Sequence, residues 1–329
     1  MLKAAQSHYD SYEAAVEAYM EKGWTDGLPI VPPTPDKVER FLAAAGLAPG
    51  AVLGTVPTRE VTVTAEQAAI NAVMAGCKPE YMPVVVAAAR ALLEEKANLH
   101  STTGTLTGAA HAVIVNGPIR TELGIACKSG CFGPGFRPNA TIGRALRLMV
   151  RNVAKGIPGY LDRASFSTPM RYSFCFGENE EDSPWKPLHV ERGLRPDESA
   201  VTVASIMYMT SCPDSGSRTP EGILNSLAKR VRQTGVIGDK WLGDDVNVVL
   251  IMGTEHMRYF AEAGWSKQQM RDYIFPKLIA EPREGPMYIK RPECILFVAA
   301  GGPGMAETWI LHPHLGLAVT KRIEVAVVS

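Results

Sequence analysis

Three short apolar runs, each breaking into a glycine turn, constrain this chain most. His111–Asn116 enters Gly117-Pro118, Val246–Met252 enters Gly253-Thr-Glu-His256, and Cys294–Ala300 enters Gly301-Gly-Pro-Gly304. Runs so short and so apolar read as buried strands. Around them lie helical patterns at 65–75, 79–95, 220–234, 256–263 and 266–279. A further helix, Asn139–Val153, carries Ile142, Leu146, Met149, Val150 and Val153 on one face. Arg59–Thr64 and Val201–Met207 alternate as further strands. This order predicts an α/β fold of layered mixed sheets with flanking helices. Helix, strand and Gly-Pro turn recur at 79–118 and 266–304, which predicts two related halves around a cleft. The expected organisation is an N-terminal helical and extended segment over 1–50 and a first α/β half over 51–190, with a second half over 191–329. The charged, Pro-rich stretch Glu178–Glu198 sets the boundary. In such folds ligands bind at the C-terminal ends of strands, where the glycine turns fall.

The composition narrows the function classes. With 329 residues, 46% of them hydrophobic, the chain can bury a large core. Lys+Arg and Asp+Glu are both 34, so no basic field attracts nucleic acid. No apolar run approaches the roughly 20 residues that cross a bilayer, and the start Met-Leu-Lys-Ala-Ala-Gln-Ser-His has no signal-peptide core. Six irregularly spaced cysteines do not make a disulfide scaffold. The expectation is a cytoplasmic, reduced protein without nucleic-acid or membrane partners, with homo-oligomerisation left open.

The chemistry-bearing residues concentrate in the cassette Cys127-Lys-Ser-Gly-Cys-Phe-Gly-Pro-Gly-Phe-Arg-Pro-Asn-Ala-Thr-Ile-Gly143. Its glycines, Gly133 and Gly135 among them, let backbone approach a ligand. The helix that follows offers free N–H groups to an anion. Lys128 and that helix start should lower the pKa of Cys127 or Cys131. The three-residue spacing is not that of a thioredoxin-like pair, so the cassette reads mainly as a ligand-cradling wall. Cys77 lies between Gly76 and Lys78, just before the helix start at Pro79, and reads as the leading nucleophile or redox thiol. Cys127 and Cys131 would then be partner or resolving thiols. The plain alternative for all three is a small buried apolar residue. Asn116, Asn139, Thr141 and Arg144 are expected to bind an anion, and His100 and Thr102 to orient a carboxylate or phosphate. His189 ends an acidic loop containing Glu178 and Glu180, and is the candidate for moving protons or binding a metal. Glu255-His256 and His312-Pro-His314 lack the spacing of a zincin motif, and Gly301–Gly304 lacks Gly-Lys-Ser/Thr. Cys175, Cys212 and Cys294 read as structural.

Several motifs in fixed order resemble the UGSC family of (seleno)proteins, named for a Sec-Gly-Ser-Cys motif. They are Trp24-Thr-Asp-Gly-Leu-Pro-Ile-Val-Pro-Pro-Thr34, Gly76-Cys-Lys-Pro-Glu-Tyr81, Asn116-Gly-Pro118, Gly133-Pro-Gly135 with Asn139-Ala-Thr-Ile-Gly-Arg144, and the stretch from Glu178 through Trp185 to Arg192. The resemblance implies thiol or selenol chemistry and an enzyme with a reactive cysteine. Here Cys127-Lys-Ser-Gly-Cys131 is one residue longer than the name-giving motif. The favoured expectation is a cysteine-dependent enzyme, redox or nucleophilic, acting on a small anionic metabolite. The alternatives are a metal-dependent lyase or hydrolase with Cys, His and Glu ligands, and a non-catalytic two-lobed ligand-binding protein. The motifs name no cofactor and leave a metal open.

Overall fold

A computed structural model describes residues 1–233, 246–279 and 289–325. Its strands are β1 (Val52–Val56), β2 (Val61–Thr64), β3 (Ala110–Asn116), β4 (Cys175–Gly177), β5 (Ala200–Pro213), β6 (Val248–Met252), β7 (Ile295–Ala299), β8 (Glu307–Pro313) and β9 (Val319–Arg322). The helices before the cassette are α1 (Tyr12–Glu21), α2 (Pro35–Ala44), α3 (Ala65–Ala75), α4 (Met82–Leu92), α5 (Leu99–Thr103) and α6 (Ile119–Glu122). After it come α7 (Arg137–Asn152), α8 (Leu188–Glu191), α9 (Pro220–Gln233), α10 (Thr254–Glu262) and α11 (Lys267–Ile279). Thr234, the expected last residue of the helix over 220–234, lies outside the described residues.

Strands β3 to β9 form one mixed sheet, and β1 and β2 a separate hairpin. In the main sheet β3 runs parallel to β4, and β6 runs parallel to β7. Antiparallel β5 and β8 connect the two pairs. β9 pairs with Ala200–Val203 of β5, beside the stretch that pairs with β8. The expected α/β class with flanking helices is therefore present, with one continuous curled sheet running through both expected halves.

The period-2 alternation of side chains explains the layers. Ala110, Ala112 and Ile114 of β3 share an inner cluster with Phe174, Phe176, Ala204, Val249, Ile251, Val298 and Leu311. Val113 and Val115, facing the other way, pack with α2, α3, α4 and α7. Val248, Leu250, Met252 and Phe297 face outward onto α9, α10 and α11. Every residue of β3, β6 and β7 is consequently buried, which is why these strands read as unbroken apolar runs. Each fully buried large side chain contributes about 1.5–3 kcal/mol of transfer free energy. Among the described residues, no helix is long and apolar enough to cross a membrane.

Boundaries moved where local geometry overrode the pattern. Pro57–Arg59 forms a 3₁₀ turn, so the strand expected from Arg59 begins at Val61. The segment at Val201–Met207 is the middle of a longer strand, β5. In α7, Gly143 packs against the entry to β4: a Cβ there would lie 2.8 Å from the Phe174 nitrogen and 2.4 Å from Ser173 Oγ. A mid-helix glycine ordinarily gains about 1 kcal/mol on becoming alanine. Here overpacking against backbone dominates, so Gly143→Ala should destabilise by about 1–3 kcal/mol in urea unfolding. A stabilised variant would show that α7 can move away from β4.

Candidate functional site at the seam of the curled sheet

The C-terminal ends of the two parallel pairs meet. Asn179, just past β4, donates its N–H to the Ala299 carbonyl at the end of β7 (2.7 Å). The start of the cassette lies across this seam. The Ala126 carbonyl accepts from Gly177 N–H (3.0 Å) and the Cys127 carbonyl from Gly301 N–H (2.9 Å). Buried Asn139 clamps the cassette: its Oδ1 accepts from Ala126 N–H, and its Nδ2 donates to the carbonyls of Ala126 and Cys131. Gly302 meets Ser129 so closely that a Cβ would overlap the Ser129 hydroxyl. Between cassette and Gly301 loop lies a cavity of about 350 Å3, lined by Cys131, Phe132, Gly133, Ile251, Gly302 and Trp309 among others. Phe132 stands edge-on to Phe176 and Trp309, with centroids at 4.8 and 5.9 Å.

Beside the seam is a buried polar cluster. Glu178 Oε2 accepts from Asn116 Nδ2 (2.6 Å) and from Leu188 N–H (2.8 Å). Its other oxygen lies 3.8 Å from Lys267 Nζ. Burial raises the Glu178 pKa, opposed by Lys267 and by these hydrogen bonds. Glu180 Oε1 accepts from Asn116 Nδ2 and Gly117 N–H, and stands 3.9 Å from His189 Nδ1. Arg120 pairs with Glu181 and donates from Nη1 to Cys127 Sγ at 3.4 Å. Gly177 makes room for it, since a Cβ there would lie 2.6 Å from Arg120 Cδ. Among the described residues, both ring nitrogens of fully buried His189, together with Asn116 Oδ1 and Asn179 Oδ1, have no hydrogen-bond partner. Unsatisfied buried polar atoms in such a group mark a place where function outweighs packing.

Cys127, Cys131, His189, Asn116 and Gly133 thus gather around the seam. The other expected site residues lie elsewhere. Cys77 is buried in the helical layer, and burial pushes its thiol up to about 12 despite a hydrogen bond with Thr141. The expected lowering fails because burial outweighs Thr141, Arg137 and Arg144, and Cys77 belongs to the end of α3, where its N–H donates to the Ala72 carbonyl. Arg144 holds Asp26 with two contacts of 2.8 Å and donates to the carbonyls of Leu28 and Pro29, so it anchors the extended N-terminal segment. Thr141 donates to the Arg137 carbonyl, and the Asn139 amide is consumed by the cassette. Gly135 has φ +111°, with open space where a side chain would stand. His100 pairs with Thr58, and Thr102 with His111.

Burial also raises Cys131, to about 11, against a backbone hydrogen bond from Gly301. It raises Cys127 too, with Arg120 opposing. Arg120 and Lys267 were not singled out from the sequence. Arg120 follows Asn116-Gly-Pro118 closely and was legible as a neighbour of that turn, whereas Lys267 reads as an ordinary helix lysine. Among the described residues, no group of three or more His, Cys, Asp or Glu side chains is placed to hold a metal ion. Compared with family models, curated proteins and solved structures, the chain matches none.

Other histidines are held neutral by burial. His111 is pushed well below its ordinary pKa by burial and by Arg147 and Arg171. His312 and His314 fall to about 4, chiefly by burial. The unfolded chain binds protons near pH ~6.5 that these native histidines refuse. Their stabilising contribution is therefore full above that pH and lost as pH falls from it toward 4. The slope is up to about 1.4 kcal/mol per pH unit for each histidine. Urea unfolding at pH 7, 6 and 5 should show this fall, with a smaller slope in His111→Gln; a flat profile would contradict it.

Proposed function

We propose that the chain is a cysteine-dependent enzyme whose reactive thiol is Cys127, acting on a small molecule bound at the seam, beside the cavity that Cys131 lines. The observation that carries this reading is the Arg120 guanidinium, with Nη1 3.4 Å from Cys127 Sγ. A guanidinium stabilises a thiolate, and neither Cys77 nor Cys131 has one as a hydrogen-bond partner. On deprotonation the S–H proton passes to water, and Arg120, held in place by Glu180 and Glu181, stays beside the thiolate. Sγ then bonds to an electrophilic atom of the substrate, whose displaced electron pair goes to its own oxygen or leaving group. Cys131, five residues into the cassette and lining the cavity, is the candidate second thiol. The ordered motifs that resemble the UGSC family support sulfur chemistry here. The metal-dependent and purely ligand-binding alternatives have no comparable observation behind them.

Iodoacetamide alkylation read by mass spectrometry tests this. At pH 8 Cys127 should label ahead of both Cys131 and Cys77. Arg120→Met should slow Cys127 labelling about tenfold, the effect of one pKa unit on the thiolate fraction. Labelling of Cys77 as fast as Cys127, or indifference to Arg120→Met, would overturn the assignment.

A further inference from the structure

Helix α7 carries Arg144, Arg147 and Arg151 at i, i+3 and i+7, so one face of the helix is cationic. Arg144 is neutralised by Asp26, and Arg151 donates to the Gly23 carbonyl. Arg147 differs. It is buried, donates from Nη1 to His111 Nδ1 (2.8 Å) and from Nε to the Arg171 carbonyl (3.3 Å), and has no carboxylate partner among the described residues. Arg147 also lines a cavity of about 400 Å3.

Across that cavity stands Arg171, its side chain 10% exposed. Arg171 Nη1 reaches Asp162 Oδ2 at 2.5 Å, while buried Nη2 has no hydrogen-bond partner among the described residues. Asp26 and Asp162 also line the cavity, and both are already engaged by arginines. Three guanidiniums, those of Arg147, Arg151 and Arg171, line the cavity with two carboxylates, and Asp26 is already neutralised by Arg144 from outside the wall, so these six groups together carry a surplus of two positive charges. Burial and Arg171 push the Arg147 pKa down to about 9, against the opposing pull of Asp162, whose carboxylate is bonded to Arg171. A buried charge without a partner is costly, and an arriving anion would remove that cost. At the rim stand Phe166, 97% exposed, and Tyr172, about half exposed.

We propose that this cavity, separate from the seam, binds a small phosphorylated metabolite. Its phosphate dianion would sit between Arg147 and Arg171, and the attached body would lie against Phe166 and Tyr172. Guanidinium forks match phosphate geometry, the surplus charge matches a dianion, and the volume suits a small metabolite.

Calorimetric titration of the full chain with inorganic phosphate and with phenyl phosphate, at constant ionic strength set by chloride, tests the site. Saturable one-to-one binding is expected, tighter for phenyl phosphate. Arg147→Met should weaken both ligands at least tenfold. Phe166→Ala, at an exposed position where folding is not at stake, should weaken phenyl phosphate alone and bring it close to inorganic phosphate. The proposal is overturned if neither ligand binds saturably, if a folded Arg147→Met variant binds unchanged, or if Phe166→Ala leaves phenyl phosphate unaffected. Preferential binding of succinate over both phosphates would also overturn it.

Discussion

Two backbone carbonyls, those of Ala126 and Cys127, take hydrogen bonds from Gly177 and Gly301. Through them the ends of β4 and β7, the outermost strands of the sheet, are tied to one short segment. A sheet edge left open exposes unpaired backbone groups; this seam satisfies several and turns the space beneath into an enclosed site. Asn139 supports the seam from below, since one amide side chain serves the backbone on both sides of Cys127. A buried carboxylate such as Glu178 would otherwise be expensive. It is tolerated because the same closure brings Asn116, Leu188 N–H and Lys267 to it.

The two polar sites differ in how their charges are settled. At the seam, Arg120 and Lys267 each lie beside carboxylates, and among the described residues an imidazole and two amide oxygens are left without a hydrogen-bond partner. In the cavity beside α7 the imbalance is one of net charge. The first arrangement suits proton and thiol chemistry, where small shifts in protonation matter. The second suits capture of an anion. His111 lies between them in β3, bonded to Arg147 on one side and Thr102 on the other, and burial keeps it from adding a further charge.

Strands β3, β6 and β7 were legible because both of their faces are covered: β6 and β7 hold no polar residue, and in β3 only His111 and Asn116, near its two ends, are polar. β8 and β9 were not, because Glu307-Thr-Trp-Ile-Leu-His-Pro313 and Val319-Thr-Lys-Arg322 mix polar residues that find partners only in the folded sheet. Thr210 meets His312, and Thr202 meets Thr320. The cassette was legible as a site through its density of glycine and cysteine. The rank of its thiols was not, because a thiol pKa depends on burial and on distant cations. Cys77 looked activated by Pro79 in sequence, but the bond of its N–H to Ala72 assigns it to the preceding helix. His189 was legible as the end of the acidic loop that holds Glu178 and Glu180, whereas Lys267 gave no local sign that α11 would carry it beneath Glu191 and Glu178.

The pairing of β5 with β8 and β9 has a consequence during synthesis. Thr202 and Cys212 wait for Thr320 and Thr308, more than ninety residues later in the chain. Until the last strands emerge, one side of β5 is an open apolar template in a chain already long enough to collapse. Nascent or truncated forms ending before β8 therefore expose the strand edge most prone to pair with a neighbouring molecule. The same late arrival means that β7 cannot reach the cassette early. Cys127 and the buried acid cluster remain open to water until almost the whole polypeptide has been made.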